Sequence, residues 1–193
     1  MKESREIEIA DRIETMLGRD IFRDQRFEIR RDARLIPESR RLERRELHLY
    51  VDEGPTLTAR EIADVNALVL DKESGKVKLL IEYEQDTNPK NLIGNFLAPF
   101  MADCYISNYN HDKRRYTLDK KSTCIILIVC LKRSRGESNR EQAPIQKGEI
   151  IRKKLLGVRD RLVGSSHILT GDIIISDTLD DAEAKAKETI HGD

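Results

Sequence analysis

Asp64, Glu82 and Glu84 are the residues whose type and spacing could do chemistry in this chain. They lie in residues 64–95, DVNALVLDKESGKVKLLIEYEQDTNPKNLIGN, where two β-rich runs (65–70 and 76–83) flank the turn-forming Asp71-Lys72-Glu73-Ser74-Gly75. A hairpin loop centred on Glu73 pairs Leu70 with Lys76, and counting outward sets Asp64 opposite Glu82. Directly opposed residues project from one face with Cβ atoms about 4.5–5.5 Å apart. Glu84 returns to that face by the strand period of two. The spacing thus predicts a convergence of carboxylates at the open end of the hairpin, where their repulsion calls for a cation. Clustered carboxylate oxygens suit Mg²⁺, a hard ion that keeps several waters and takes phosphate oxygens as further ligands.

A solvated acidic face is the competing reading, because 36% of the residues are charged. Against it, Lys78 and Leu80 share the acidic side and Leu68 and Leu70 join them, so that side is expected to be covered. The other side, Val77, Leu79, Ile81 and Tyr83, is uniformly apolar and is matched by Val65, Ala67 and Val69 from the partner strand. Register decides the matter, since a slip of one residue sends Asp64 to the opposite face.

The elements that must position these groups are legible in outline. Residues 4–17 form a helix that Ser4 could cap, with Ile9, Ile13 and Leu17 along one side and Gly18 at its end. Glu14 lies beside that stripe and could lean toward a cleft. Residues 21–45 are arginine-rich with acidic residues mixed in: either a salt-bridged, solvated segment or a phosphate-contacting surface. Residues 46–51 (ELHLYV) alternate as a strand with His48 on its polar side in a structural role, and 58–61 resemble a short helix start. Asn88-Pro89 is an N-cap followed by proline at the first helical position. The helical spacing from Leu92 to Tyr105 is interrupted at Pro99. Residues 122–131 (STCIILIVCL) read as a strand buried on both faces, and 132–148 as a polar, mobile loop. A helix over 149–163 has Ile150, Ile151, Leu155, Val158 and Leu162 for its core side. A strand over 168–176 and a helix capped by Asp177 or Thr178 complete an α/β fold, a mixed central sheet flanked by helices, as one domain over residues 1–193.

Composition narrows the class. Lys+Arg and Asp+Glu balance at 35 each, so net charge argues neither for nor against nucleic acid. No apolar run approaches the roughly 20 residues of a membrane span, and the first residues are charged rather than apolar. The three cysteines sit in apolar surroundings without a Cys-x-x-Cys, which predicts buried free thiols in a soluble, cytoplasmic protein. There is no Gly-x-Ser-x-Gly and no phosphate-cradling glycine loop, which argues against the common nucleophilic hydrolases and NTPases.

An acidic residue leading into one hairpin strand, Glu82-x-Glu84 on the next, then a helix and a buried strand resemble the PD-(D/E)XK nuclease superfamily, most of all its type II restriction endonucleases. The resemblance covers residues 46–131. Ala63 stands where the motif's proline would be, and Glu84 where its lysine usually is, a replacement that some restriction enzymes of the superfamily carry. The resemblance implies a restriction-endonuclease-like fold and a metal-dependent hydrolysis of DNA phosphodiester bonds. Asp64, Glu82 and the Tyr83 carbonyl would hold Mg²⁺ or its substitute Mn²⁺, with Glu14 a further candidate ligand. Glu84 would ligate a second metal or orient water, and Lys90 would supply the missing cation. It also implies a homodimer, since cutting both strands calls for two sites related by a two-fold axis. The alternative is an inactive nuclease-fold protein that binds nucleic acid or serves assembly.

Overall fold

The computed structural model describes residues 5–31, 33–36, 41–44, 47–52, 59–107, 114–131 and 142–191. Its strands are β1 (Phe27–Arg31), β2 (Ala33–Ile36), β3 (Arg41–Arg44), β4 (His48–Asp52), β5 (Ala59–Asp64), β6 (Ala67–Asp71), β7 (Lys76–Glu84), β8 (Cys104–Ile106), β9 (Arg115–Thr117), β10 (Cys124–Cys130) and β11 (Thr170–Ser176). The helices are α1 (Arg5–Met16), α2 (Pro89–Leu97), α3 (Gln142–Leu162) and α4 (Leu179–His191). None is long and apolar enough to cross a membrane among the described residues.

The centre is a mixed sheet in which β6 pairs antiparallel with both β1 and β7, β10 runs parallel to β7, and β11 parallel to β10. A parallel pair needs a crossover, usually helical, and α2 lies between β7 and β10 in the chain as α3 lies between β10 and β11. β10 reads as a continuous apolar run because both its faces are covered. Ile125, Leu127 and Val129 join one core, and Ile126, Ile128 and Cys130 the other. α2 and α3 cover the first face, with Leu92, Phe96 and Leu155 buried there, while α1 and α4 cover the second through Ile9, Ile13, Ala182 and Ala186. A shorter antiparallel arm, β9-β8-β4-β5, joins β7 through a single bridge, Lys76 to Thr117, and contributes Leu49, Tyr105 and Tyr116 to the first core. β2 and β3 form a separate two-stranded ribbon.

Several expectations are met by local chemistry. The Asn88 side chain accepts the Lys90 N–H at 3.0 Å to cap α2, and α2 stops at Leu97 before a short 3-10 turn containing Pro99. Thr178 Oγ1 accepts the Asp181 N–H at the start of α4. Gly75 closes the central hairpin with φ +67°, a conformation that costs glycine little. Gly171 is required for another reason: a Cβ there would stand 2.6 Å from Ile125 Cγ2 and 3.1 Å from the Ile125 carbonyl oxygen. Gly171→Ala is therefore expected to destabilise by about 1–3 kcal/mol as an overpacked core position. The midpoint of urea unfolding measures this, and an unchanged midpoint contradicts it.

Other expectations are corrected. Gly18 does not end the first helix: the chain continues into a π-helical turn, Leu17–Ile21, whose Leu17 carbonyl accepts the Phe22 N–H at 2.8 Å. Residues 59–61 belong to β5 rather than a helix start, because β4 supplies a hydrogen-bonding edge that a local reading does not see. Helical spacing fails past Met101, where residues 104–106 become β8 and pair with both β4 and β9. α3 begins at Gln142, within the segment expected to be a loop, and its Ile150 and Val158 are 59% and 39% exposed instead of in the core. Val65 and Val77 lie in the α2–α3 core instead of with Leu79, Ile81 and Tyr83. The Ser4 cap and residues 132–141 lie outside the described residues.

Candidate functional site

The hairpin register differs from the sequence expectation in a way that bears on the site. Leu70 pairs with Val77 and Asp71 with Lys76, followed by a bulge after which Val69 pairs with Leu79 and Ala67 with Ile81. The turn is tighter than a loop centred on Glu73. Asp71 Oδ1 accepts the N–H groups of Glu73 and Ser74 at 3.1 and 3.2 Å, and the Asp71 carbonyl accepts that of Gly75. The bulge leaves Lys78 as the extra residue on β7 and moves Val77 to the other face. Asp64 consequently does not pair with Glu82. It ends β5 opposite His48, exposed to solvent, and the chain bends through Val65 and Asn66 before β6 begins.

At that bend the β6–β7 ladder is completed by a side chain. The Asn66 N–H donates to the Ile81 carbonyl at 3.1 Å, and Asn66 Oδ1 accepts the Tyr83 N–H at 2.7 Å. β7 thus runs on past the last residue of β6, carrying Glu82 and Glu84 beside its parallel neighbour β10, opposite Leu127 and Val129. Alternation puts both carboxylates on the Leu80 face, under α2 and α3, as the covered acidic side required. Glu82 is 5% exposed. Glu84 is half-buried, and its Oε1 accepts Asn95 Nδ2 of α2 at 2.6 Å. The two carboxylates stand at the carboxyl end of β7, next to a parallel partner, where ligands bind in open α/β sheets.

The remaining candidates lie around this pair or away from it. Tyr83 projects to the opposite face, where burial raises its phenol pKa well above the usual range and the nearby Glu14 carboxylate adds to the effect. Glu14 belongs to that α1 side rather than to the face of Glu82: its Oε1 accepts Arg31 Nε at 2.7 Å, and Arg31 also pairs with Asp11 at 2.6 Å. Burial pushes the Glu14 carboxyl above its ordinary pKa, Arg31 opposes the rise and Asp11 reinforces it. Lys90 stands exposed on the first turn of α2. Among the described residues, no three His, Cys, Asp or Glu side chains are gathered closely enough to hold a metal ion by themselves. The paired carboxylates Glu82 and Glu84 nevertheless match the donor chemistry of Mg²⁺, which is commonly held by one or two carboxylates with waters and substrate phosphates.

Two participants were missed in the sequence. Asn95 follows the sheet-facing Leu92 by three residues, a spacing that puts both on one side of α2. Asn66 stands at a strand end, where its amide substitutes for a backbone group. Arg30, from the arginine-rich segment, is 3% exposed and bonded in three directions. Its Nε and Nη2 each lie 3.1 Å from a Glu28 carboxylate oxygen, its Nη1 donates to Ser107 Oγ and the Tyr105 hydroxyl, and its guanidinium stacks 5.3 Å from the Tyr116 ring centroid. It ties β1 to the β8–β9 arm rather than presenting charge to a phosphate.

A cavity of about 550 Å³ opens at the amino ends of β10 and β11, lined in part by Lys78, Cys124 and Arg159, far along the strands from the two glutamates. Comparison of the chain with family models, curated proteins and solved structures returned no match.

Proposed function

We propose that this chain is a metal-dependent endodeoxyribonuclease of restriction-like type, with Glu82 and Glu84 as its metal-binding carboxylates. The observation that carries the reading is their placement on one buried face at the carboxyl end of β7, in a hairpin–helix–strand unit whose last strand, β10, runs parallel to β7. That is the order of elements the nuclease resemblance implies. Mg²⁺ or Mn²⁺ held by these carboxylates would lower the pKa of a coordinated water and neutralise charge developing on the phosphate. The protein's own part is to hold the donors still. Asn95 fixes the Glu84 carboxylate from α2, and Asn66 fixes the backbone of β7 at Tyr83. Asp64 on the bend into β6 and Lys90 at the start of α2 are the remaining groups of this reading. Glu14, engaged by Arg31, serves α1 packing.

A second reading is a nuclease-fold protein that binds DNA without cutting it. The observation favouring it is that the described side chains form no three-ligand group. Incubation of a supercoiled plasmid panel with Mg²⁺, Mn²⁺ or EDTA separates the two. The nuclease nicks or linearises plasmid only with metal, and Asp64→Ala and Glu82→Ala lose that activity. Cleavage retained in Glu82→Ala overturns the assignment, and metal-independent binding without cleavage favours the second reading.

A further inference from the structure

We infer that the outward face of α3 is the surface on which this protein seats the phosphate backbone of duplex DNA, an inference that rests on the nuclease reading and supplies its substrate-binding side. Among the described residues several cations are held by carboxylates, Arg30 by Glu28, Arg31 by Glu14 and Asp11, Lys76 by Asp119 and Arg152 by Asp172, and others, such as Lys72 and Lys90, stand exposed on turns and helix ends. α3 gathers four on one helix. Lys147, Lys153, Lys154 and Arg161 are exposed, and among the described residues none makes an ion pair or hydrogen bond. The acidic residues of α3 pair within the helix, Glu149 with Arg152 and Asp160 with Arg159, and the helical period sets them on the other side of it from Lys147, Lys154 and Arg161.

The spacing makes a line. Lys147, Lys154 and Arg161 recur at seven-residue intervals, two helical turns each, so they fall within a narrow arc of one face and span about 21 Å along the axis. Ile150, 59% exposed, lies between the first two of these cations along the helix. A straight row of cations separated by apolar contact fits a rigid polyanion whose charge recurs every about 1.7 Å along its axis.

The row also leads to the right place. Gly148, beside Lys147, is packed so closely that a Cβ would stand 2.8 Å from Thr87 Cγ2 and 2.8 Å from Ile175 Cδ1. Thr87 follows Glu84 by three residues in the turn into α2. The first cation of the row is thus one residue from the position where α3 packs on the segment that leaves the carboxylates, and α3 lies on the same side of the sheet as Glu82 and Glu84. A duplex lying along α3 passes the end of β7.

The test is binding of a fluorescent duplex to the full chain in EDTA between 50 and 200 mM salt, for wild type, K147A/K154A/R161A, and K72A as a control removing an exposed charge at the hairpin tip. Thermal melts confirm that each variant is folded. The expected result is binding weakened by about tenfold or more in the triple variant, with a log–log salt slope shallower by roughly three, and no change in K72A. Wild type that binds and cleaves DNA, with a triple variant matching it in affinity and slope, overturns this inference and leaves the nuclease reading standing. Wild type that neither binds nor cleaves any duplex overturns both. A loss equal in K72A assigns the effect to net charge and also overturns the role of α3.

Discussion

Glu82→Gln is expected to lower the rate of Mg²⁺-dependent plasmid cleavage by about a thousandfold, the scale of losing several kcal/mol of charge stabilisation at the phosphate. The substitution keeps the shape of a side chain that is 5% exposed, so its surroundings are not asked to repack. What it removes is the negative charge that a divalent cation requires. Duplex binding in EDTA is expected to be unchanged, because that contact is assigned to α3 cations. Glu84→Gln should cost less, on the order of tenfold to a hundredfold. Its carboxylate is half-buried and already accepts the Asn95 amide, so an amide in its place disturbs orientation as well as charge. A Glu82→Gln protein that cleaves at the wild-type rate would remove the chemistry from β7.

Arg30→Met is expected to destabilise the fold by about 2–3 kcal/mol, the scale of losing hydrogen bonds made by a buried charged group. Arg30 holds Glu28, whose side chain is 29% exposed, within its own strand and reaches Tyr105 and Ser107 on the arm, so its loss loosens β8 and β9 together. At about 2–4 °C per kcal/mol for a chain of this size, the melting temperature should fall by roughly 5–10 °C. Arg30→Lys should rescue little. An ammonium has no planar fork for two Glu28 oxygens and does not stack as a guanidinium does over Tyr116. Circular dichroism melts measure both variants. A loss below about 1 kcal/mol in Arg30→Met would show that the buried guanidinium is replaceable by apolar packing, as some buried ion pairs are.

The parts of this fold that were legible in the sequence are those in which one local signal dominates. The unbroken apolar run of β10, the Asn88-Pro89 start of α2 and the Ile9-Ile13-Leu17 stripe, which runs from α1 into the π-helical turn, each carry their own explanation. The face shared by Glu82 and Glu84 followed from the strand period and from the leucines beside them. The position of Asp64 is not legible in the pattern because it depends on two things that the pattern does not encode: a turn tightened by Asp71 and a bulge at Lys78. It is then drawn away by β4, a strand distant in sequence from the hairpin. β5, β8 and β9 were missed for the same reason, as short strands that exist because edges are offered to them. Ile150 and Val158 match a core spacing yet face outward, because periodicity counts apolar residues and cannot tell the inward face of a long helix from the outward one when both carry them.

The most direct measurement of the central claim is Mn²⁺ binding by titration calorimetry, with the full chain as wild type, Glu82→Gln and Glu84→Gln, each in the presence and absence of duplex DNA carrying non-hydrolysable linkages. Saturable binding in the wild type, strengthened by the duplex and lost in Glu82→Gln, is the result predicted for carboxylates that hold a metal at the end of β7. Wild type and Glu82→Gln that bind Mn²⁺ identically, or a wild type that binds none with or without duplex, would contradict it.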